Sequence, residues 1–119
     1  MADFLRPDAF PGWVTRYRPQ MRCRGFRRAL LATLRNYLAE DWSLEYDRVG
    51  RGTAPVLPVW GKQDRDVPFE TSRDVLAAIP RAKFLAVEDA AHVPFLEHPE
   101  ITQPALAGFL TRVSHQSSA

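Results

Sequence analysis

The chain has 119 residues, 45% of them apolar, and a net charge of +2, enough for one hydrophobic core and too few for two. No apolar run approaches the ~18 to 20 residues that span a bilayer, so no membrane span is expected. Cys23 is the only cysteine, which excludes an intrachain disulfide framework or a multi-cysteine metal site; its expected role is a small, partly buried side chain.

Charge is unevenly spread. Residues 1–40 hold eight Arg against Asp3, Asp8 and Glu40, a balance of +5, whereas residues 41–119 hold eight Lys or Arg against eleven acids, a balance of −3. The Arg-rich part has no fingered, zipped or glycine-looped motif to present its charge to a duplex, so a solvated helix face is expected and no nucleic-acid partner. The opening MADFLRPDAFPGW has no basic stretch leading into an apolar one, so it does not read as a secretory leader and cytoplasmic residence is expected.

Pro7, Pro11 and Pro19 with Gly12 break any helical register over residues 1–20, which predicts loop or short turns. Phe26, Leu30, Leu34, Tyr37 and Leu38 then recur at helical spacing, with Arg27, Arg28 and Arg35 elsewhere on the wheel, predicting an amphipathic helix over about 25–39. The polar stretch that ends in GRGTAP reads as a connector. Val56 to Trp60 (VLPVW) is a short apolar run with β-branched and aromatic members, as expected for a strand buried on both faces. Pro58 cannot donate to a ladder there, so its register must lie at an edge or tolerate a missing donor. Thr71 or Ser72 can cap a helix whose Val75, Leu76 and Ile79 share a face and which Pro80 stops. Lys83 to Val87 (KFLAV) predicts a second strand. Strand, helix, strand is the unit that builds a parallel sheet, and the fold class is α/β. Leu106, Phe109, Leu110 and Val113 mark a final helix before the polar SHQSSA tail. That helix either begins near Gln103 or starts at Pro99 and accommodates Pro104.

Two segments carry chemistry. In PVLPVWGKQDRDVP a strand runs into Gly61 and places Asp64 just beyond its carboxyl end, where open α/β sheets assemble their sites. In AVEDAAHVPFLEHPE, His92 follows the next strand. A strand with WGxxDxxxP, then a strand with AHxPxLExPE about 28 residues on, resembles the end of the α/β-hydrolase fold. The resemblance implies that Asp64 is the acid and His92 the base of a catalytic triad, the carboxylate holding the imidazole in one tautomer and stabilising its charged form. FPGWVTRYRPQMRCRGFRRALLATLRNYL is similar, less specifically, to the tail of a hydrolase cap region. The implied organisation is a cap-derived segment and helix over 1–40, a connector over 41–54, a C-terminal βαβα part of the hydrolase domain over 55–113, and a tail over 114–119. The expected sheet is partial, two parallel strands with a crossover helix.

One part of the family pattern is missing from these residues. The family nucleophile sits in a G-x-S-x-G elbow upstream of the acid, and none of Ser43, Ser72, Ser114, Ser117 or Ser118 is so flanked; neither Cys23 nor any Asp occupies such an elbow. The chain therefore reads as a C-terminal fragment of an esterase- or lipase-like hydrolase, or of an epoxide hydrolase or dehalogenase, inactive alone. An ester-like small molecule is expected as substrate only if an N-terminal part completes the site. The alternatives are a non-catalytic binding or assembly module that self-associates through an open sheet edge, or one half of a split hydrolase.

Each residue also has a plainer use. Asp64 can be a turn carboxylate, and Asp66 is a rival acid. His98 reads as the residue that leads into a helix, and Trp60 and Phe95 as core or pocket wall. His92 and His98, six apart with Glu97 nearby, match no common metal spacing, so neither metal nor cofactor is expected.

Overall fold

The computed structural model describes residues 3–37 and 40–116. By contact the chain divides into two units, one of Met1–Leu5 with Ser43–Ala119 and one of Arg6–Trp42.

In the larger unit the sheet has, among the described residues, two parallel strands, β1 (Val59–Gly61) and β2 (Leu85–Val87), with Val59 opposite Leu85 and Gly61 opposite Val87. β2 lies within the apolar run that predicts it, β1 starts inside its run and reaches one residue past it to Gly61, and both are shorter than the runs. Pro58 explains part of the shortening. Lys83 N–H donates to Val56 O at 2.9 Å and Leu85 N–H to Pro58 O at 3.0 Å, but Pro58 has no N–H to return the rung between them. The strand is not buried on both faces as expected. Val56 to Trp60 are half-buried, since β2 is the one strand paired with β1 among the described residues.

Helix α4 (Ser72–Ala78) crosses from β1 to β2 and buries Ser72, Val75 and, at its end, Ile79, the i, i+3, i+7 spacing of a single stripe. Ile79 leaves the helix at φ −125°, as the residue before a proline must. Thr71 occupies the N-cap position, but its hydroxyl donates to Pro68 O at 2.7 Å and makes no cap. After β2 a single-turn helix α5 (Pro94–Glu97) leads to α6 (Pro99–Gln116). Of the two expected starts for α6, the helix takes the earlier and carries Pro104 inside it; it also runs into the residues expected as tail. Residues 117–119 of that tail lie outside the described residues.

A helix replaces the expected connector. Residues Ser43–Arg51 form α3. Gly50, which reads as a breaker, is the point where α3 meets α4, since a Cβ there would stand 2.0 Å from Ala78 O. Arg81 closes the C-terminal end of α3, donating to Gly50 O at 2.5 Å, Val49 O at 2.7 Å and Ala54 O at 3.0 Å, where free helix carbonyls need donors. The small core consists of Phe4, Val75, Ile79, Val87, Ala90 and Ala91. Phe95, expected as core or pocket wall, is 57% exposed, and Leu106 and Leu110 of α6 are about half exposed.

The smaller unit contains a 3-10 turn (Pro7–Ala9), α1 (Trp13–Tyr17), a second 3-10 turn (Gln20–Arg22) and α2 (Phe26–Ala32), in keeping with the short turns expected of its prolines. Gly25, at φ 87°, starts α2 from a conformation that suits glycine. The predicted helix over 25–39 does not stay regular, passing into a π-helical turn at Thr33–Tyr37. Leu38 and the expected end at residue 39 lie outside the described residues. Leu30, Leu31 and Leu34 remain exposed. Cys23, expected to be partly buried, is exposed as well.

Candidate functional site

The carboxyl ends of β1 and β2 open into two loops, residues 62–67 and 88–93, that are bonded to each other. Lys62 N–H donates to Val87 O at 2.9 Å and Gln63 N–H to Ala90 O at 2.9 Å. The Gln63 side chain answers by accepting Ala90 N–H at 3.2 Å, and Lys62 pairs with the Glu88 carboxylate. Gly61 makes this approach possible, because a Cβ there would lie 2.0 Å from Ala91 O and 2.4 Å from Ala90 O.

The loop pairing brings Asp64 and His92 together from positions 28 residues apart, with His92 Nδ1 2.9 Å from Asp64 Oδ2. The carboxylate divides its work. Oδ1 accepts the N–H groups of Asp66 and Val67, each at 2.9 Å, the bonding of an Asp-initiated turn, while Oδ2 faces the imidazole. Both uses foreseen for Asp64, turn carboxylate and histidine partner, therefore coexist in one side chain. Trp60 Nε1–H donates to Val67 O at 3.0 Å and closes the same turn. The Asp64 side chain is 5% exposed and that of His92 43%, so a nearly buried acceptor stands behind a ring open to solvent. A carboxylate only accepts. The hydrogen bond thus assigns the proton to Nδ1 and leaves Nε2 as the basic nitrogen.

Asp66, the rival acid, is not placed against Nδ1 in this way. It supplies one of the N–H groups that hold Asp64. Its carboxyl is pushed above the usual carboxylate range, first by partial burial and then by the neighbouring Asp3 and Asp64 carboxyls, with His92 pulling the other way. Ligand atoms of Asp64, Asp66 and His92 lie within 4.8 Å of one another, the arrangement among the described residues that could hold a cation. Both Asp64 oxygens already accept hydrogen bonds, however, and a cation would compete with them.

His98, expected to lead into a helix, ends α5 just before α6 and bridges two segments. Its Nε2 donates to Asp89 O at 3.0 Å, and its Nδ1 lies 2.9 Å from Glu100 Oε1. Asp89, at φ 52°, holds the left-handed conformation that Asp tolerates in turns. The Glu100 carboxyl is held below its usual range, first by its own backbone N–H and then by His98. His98 therefore does not join His92 in a cluster.

Three residues around the pair escape a reading of the sequence for reactive side chains: Gly61, Gln63 and Glu97. Glu97 accepts Ala91 N–H at 2.7 Å and Leu5 N–H at 2.6 Å. Gly61 and Glu97 stand in the motif strings themselves, but only the spatial approach of the two loops reveals their work.

No family model matches the chain. It is similar to the 2-hydroxy-6-oxononadienedioate/2-hydroxy-6-oxononatrienedioate hydrolase of Cupriavidus pinatubonensis, 33% identical over 63 residues, which are 53% of this chain and 22% of that protein. The uncharacterized hydrolase YugF of Bacillus subtilis is 28% identical over 59% of this chain and 26% of its own length. The 2-hydroxy-6-oxo-6-(2'-aminophenyl)hexa-2,4-dienoic acid hydrolase of Metapseudomonas resinovorans is 33% identical over 72% of this chain and 30% of its own length. The chain thus spans about a quarter of the length of the relatives it matches. Those relatives are α/β-hydrolases, and over its C-terminal half this chain, with its two parallel strands and crossover helix, matches part of an α/β-hydrolase.

Proposed function

We infer that residues 55–113 carry the acid–histidine half of a hydrolase active site, with Asp64 as the acid and His92 as the base, and that residues 1–40 derive from a cap. The contact between Asp64 Oδ2 and His92 Nδ1 at 2.9 Å is the observation that carries this reading. In it Nε2 of His92 takes the proton of a nucleophile or water, and the nearly buried Asp64 carboxylate fixes the tautomer and stabilises the imidazolium that forms. The nucleophile must come from elsewhere, because no G-x-S-x-G or equivalent elbow occurs in these 119 residues. The chain alone is inactive in this reading, and the completed site acts on a small ester-like substrate in the cytoplasm. The assay is hydrolysis of p-nitrophenyl esters by the purified chain. Turnover comparable to that of an intact esterase, abolished by His92→Ala, would overturn the inference.

A second reading is favoured by the half-exposed Leu106 and Leu110 on α6 and by a sheet in which each described strand has one partner. Open strand edges and apolar helix faces invite association, either with a second copy or with a chain that supplies the elbow. Size-exclusion chromatography with light scattering tests self-association, and a dispersed monomer with a sharp unfolding transition argues against it. Co-expression with an N-terminal hydrolase half tests the split enzyme, and no gain in ester hydrolysis counts against that version.

A further inference from the structure

We propose that Glu97 is a positioning residue for His92, a two-armed acceptor that holds the histidine loop through Ala91 and ties it to the arm formed by Asp3–Leu5. The inference rests on the acid–histidine reading above and deepens it. Glu97 Oε2 accepts Ala91 N–H at 2.7 Å and Oε1 accepts Leu5 N–H at 2.6 Å. Ala91 is 1% exposed, so an N–H that lost this acceptor has little access to water and bears the desolvation penalty. Ala91 is joined to His92 by one planar peptide, which passes a displacement of Ala91 directly to the imidazole.

The loop is braced on its other side by Gln63, which bonds both the N–H and the C=O of Ala90. The two residues before His92 are thus held by side chains from two different elements, Gln63 beyond β1 and Glu97 at the end of α5. The arm is anchored independently, since Phe4 is 3% exposed in the core of the same unit. Glu97 therefore joins three segments that meet beside Asp64 and His92.

The chemistry of the position selects a glutamate. Both partners are donors, so the side chain must offer two acceptor oxygens and no hydrogen. Glutamine would turn its NH2 against one of the two N–H groups. Aspartate keeps both oxygens but is one methylene shorter and reaches one partner.

The test is nuclear magnetic resonance on the full chain, with thermal melts to confirm folding. Long-range proton–nitrogen correlations of the His92 ring report which nitrogen carries the proton. The wild type is expected to show the Nδ1–H tautomer, and Glu97→Gln to give ring shifts averaged between tautomers. Exchange of the Ala91 amide proton is expected to quicken by roughly tenfold or more. Glu97→Asp, with two oxygens but a shorter reach, is expected to keep one of the two amides protected and expose the other. Asp64→Asn is the control for the underlying reading: ring signals it leaves untouched sink the acid–histidine pair itself. Ring signals that change in Asp64→Asn and stay wild-type in Glu97→Gln overturn the role of Glu97 alone. Should Glu97→Gln fail to fold, the wild type decides through scalar couplings across the hydrogen bonds from the Ala91 and Leu5 nitrogens to the Glu97 carboxyl carbon. Both are expected, and their absence overturns the proposal.

Discussion

Replacing Gly61 by alanine adds one methyl group where two loops touch. The new Cβ would lie 2.0 Å from Ala91 O, 2.4 Å from Ala90 O and 2.7 Å from the Ala90 carbonyl carbon, against ordinary contact from 3.4 Å. All three atoms are backbone, so no side chain can swing aside. Gly61 does not have a positive φ, so alanine meets no conformational penalty there and the effect isolates the contact. The histidine loop must retreat by more than an ångström, stretching the two bonds between Gln63 and Ala90 and the one from Ala91 to Glu97. At about 1 kcal/mol for each bond, with about 1 to 3 kcal/mol for overpacking, the loss is about 4 to 6 kcal/mol. That approaches the whole stability of an ordinary domain, about 5 to 15 kcal/mol. Urea denaturation should show a midpoint lower by more than about 1 M, taking a slope of about 1 to 3 kcal/mol/M. The His92 ring should lose its fixed tautomer. A Gly61→Ala protein within about 0.5 kcal/mol of wild type, its His92 signals unchanged, would show that the loops do not meet as described.

Gly50→Ala should separate α3 from α4, because its Cβ would stand 2.0 Å from Ala78 O; a loss of about 1 to 3 kcal/mol in the same denaturation assay is expected, and His92 should be undisturbed. Arg81→Lys should cost about 1 to 2 kcal/mol after solvent screening, because an ammonium cannot span the carbonyls of Val49, Gly50 and Ala54 as the guanidinium does; amide exchange in α3 would quicken, and unchanged protection there would count against the capping role. Asp66→Asn addresses pH. The Asp66 carboxyl is raised above its ordinary value of 3.8, chiefly by partial burial, so its contribution to stability is full below that value and is lost as pH rises through the raised one. The Asn variant should melt higher than wild type at neutral pH, the difference vanishing in acid. An equal difference at both ends of a titration of melting temperature would refute this sign.

The strand–helix–strand order was legible because short apolar runs bounded by proline and glycine leave few other readings, and the spacing of Asp64 and His92 after those runs marked the pair that the structure brings within 2.9 Å. Helix α3 was not legible. Its closing glycines carry the composition of a turn, and only the approach of Ala78 O shows Gly50 to be a packing residue. Thr71 reads as a cap, yet its hydroxyl finds Pro68 O closer at hand. The apolar stripes of α2 and α6 announce helices correctly. They cannot say that Leu34 and Leu110 stay half exposed, because periodicity reports which residues seek cover and not whether cover is present. Gln63 and Glu97 look like surface polar residues until folding sets beside them the N–H groups they accept, from Ala90 for Gln63 and from Ala91 and the distant Leu5 for Glu97.

The stitching of the two strand-end loops to each other has a consequence for protein design. A histidine and its carboxylate are usually hard to transplant, since each depends on supports scattered through a host. Here the supports form a short inventory, namely a glycine, a glutamine and a glutamate within a segment of some forty residues. If the proposed acid–base roles hold, such a segment is a portable acid–histidine pair, to be joined to a scaffold that presents a hydroxyl or thiol opposite Nε2.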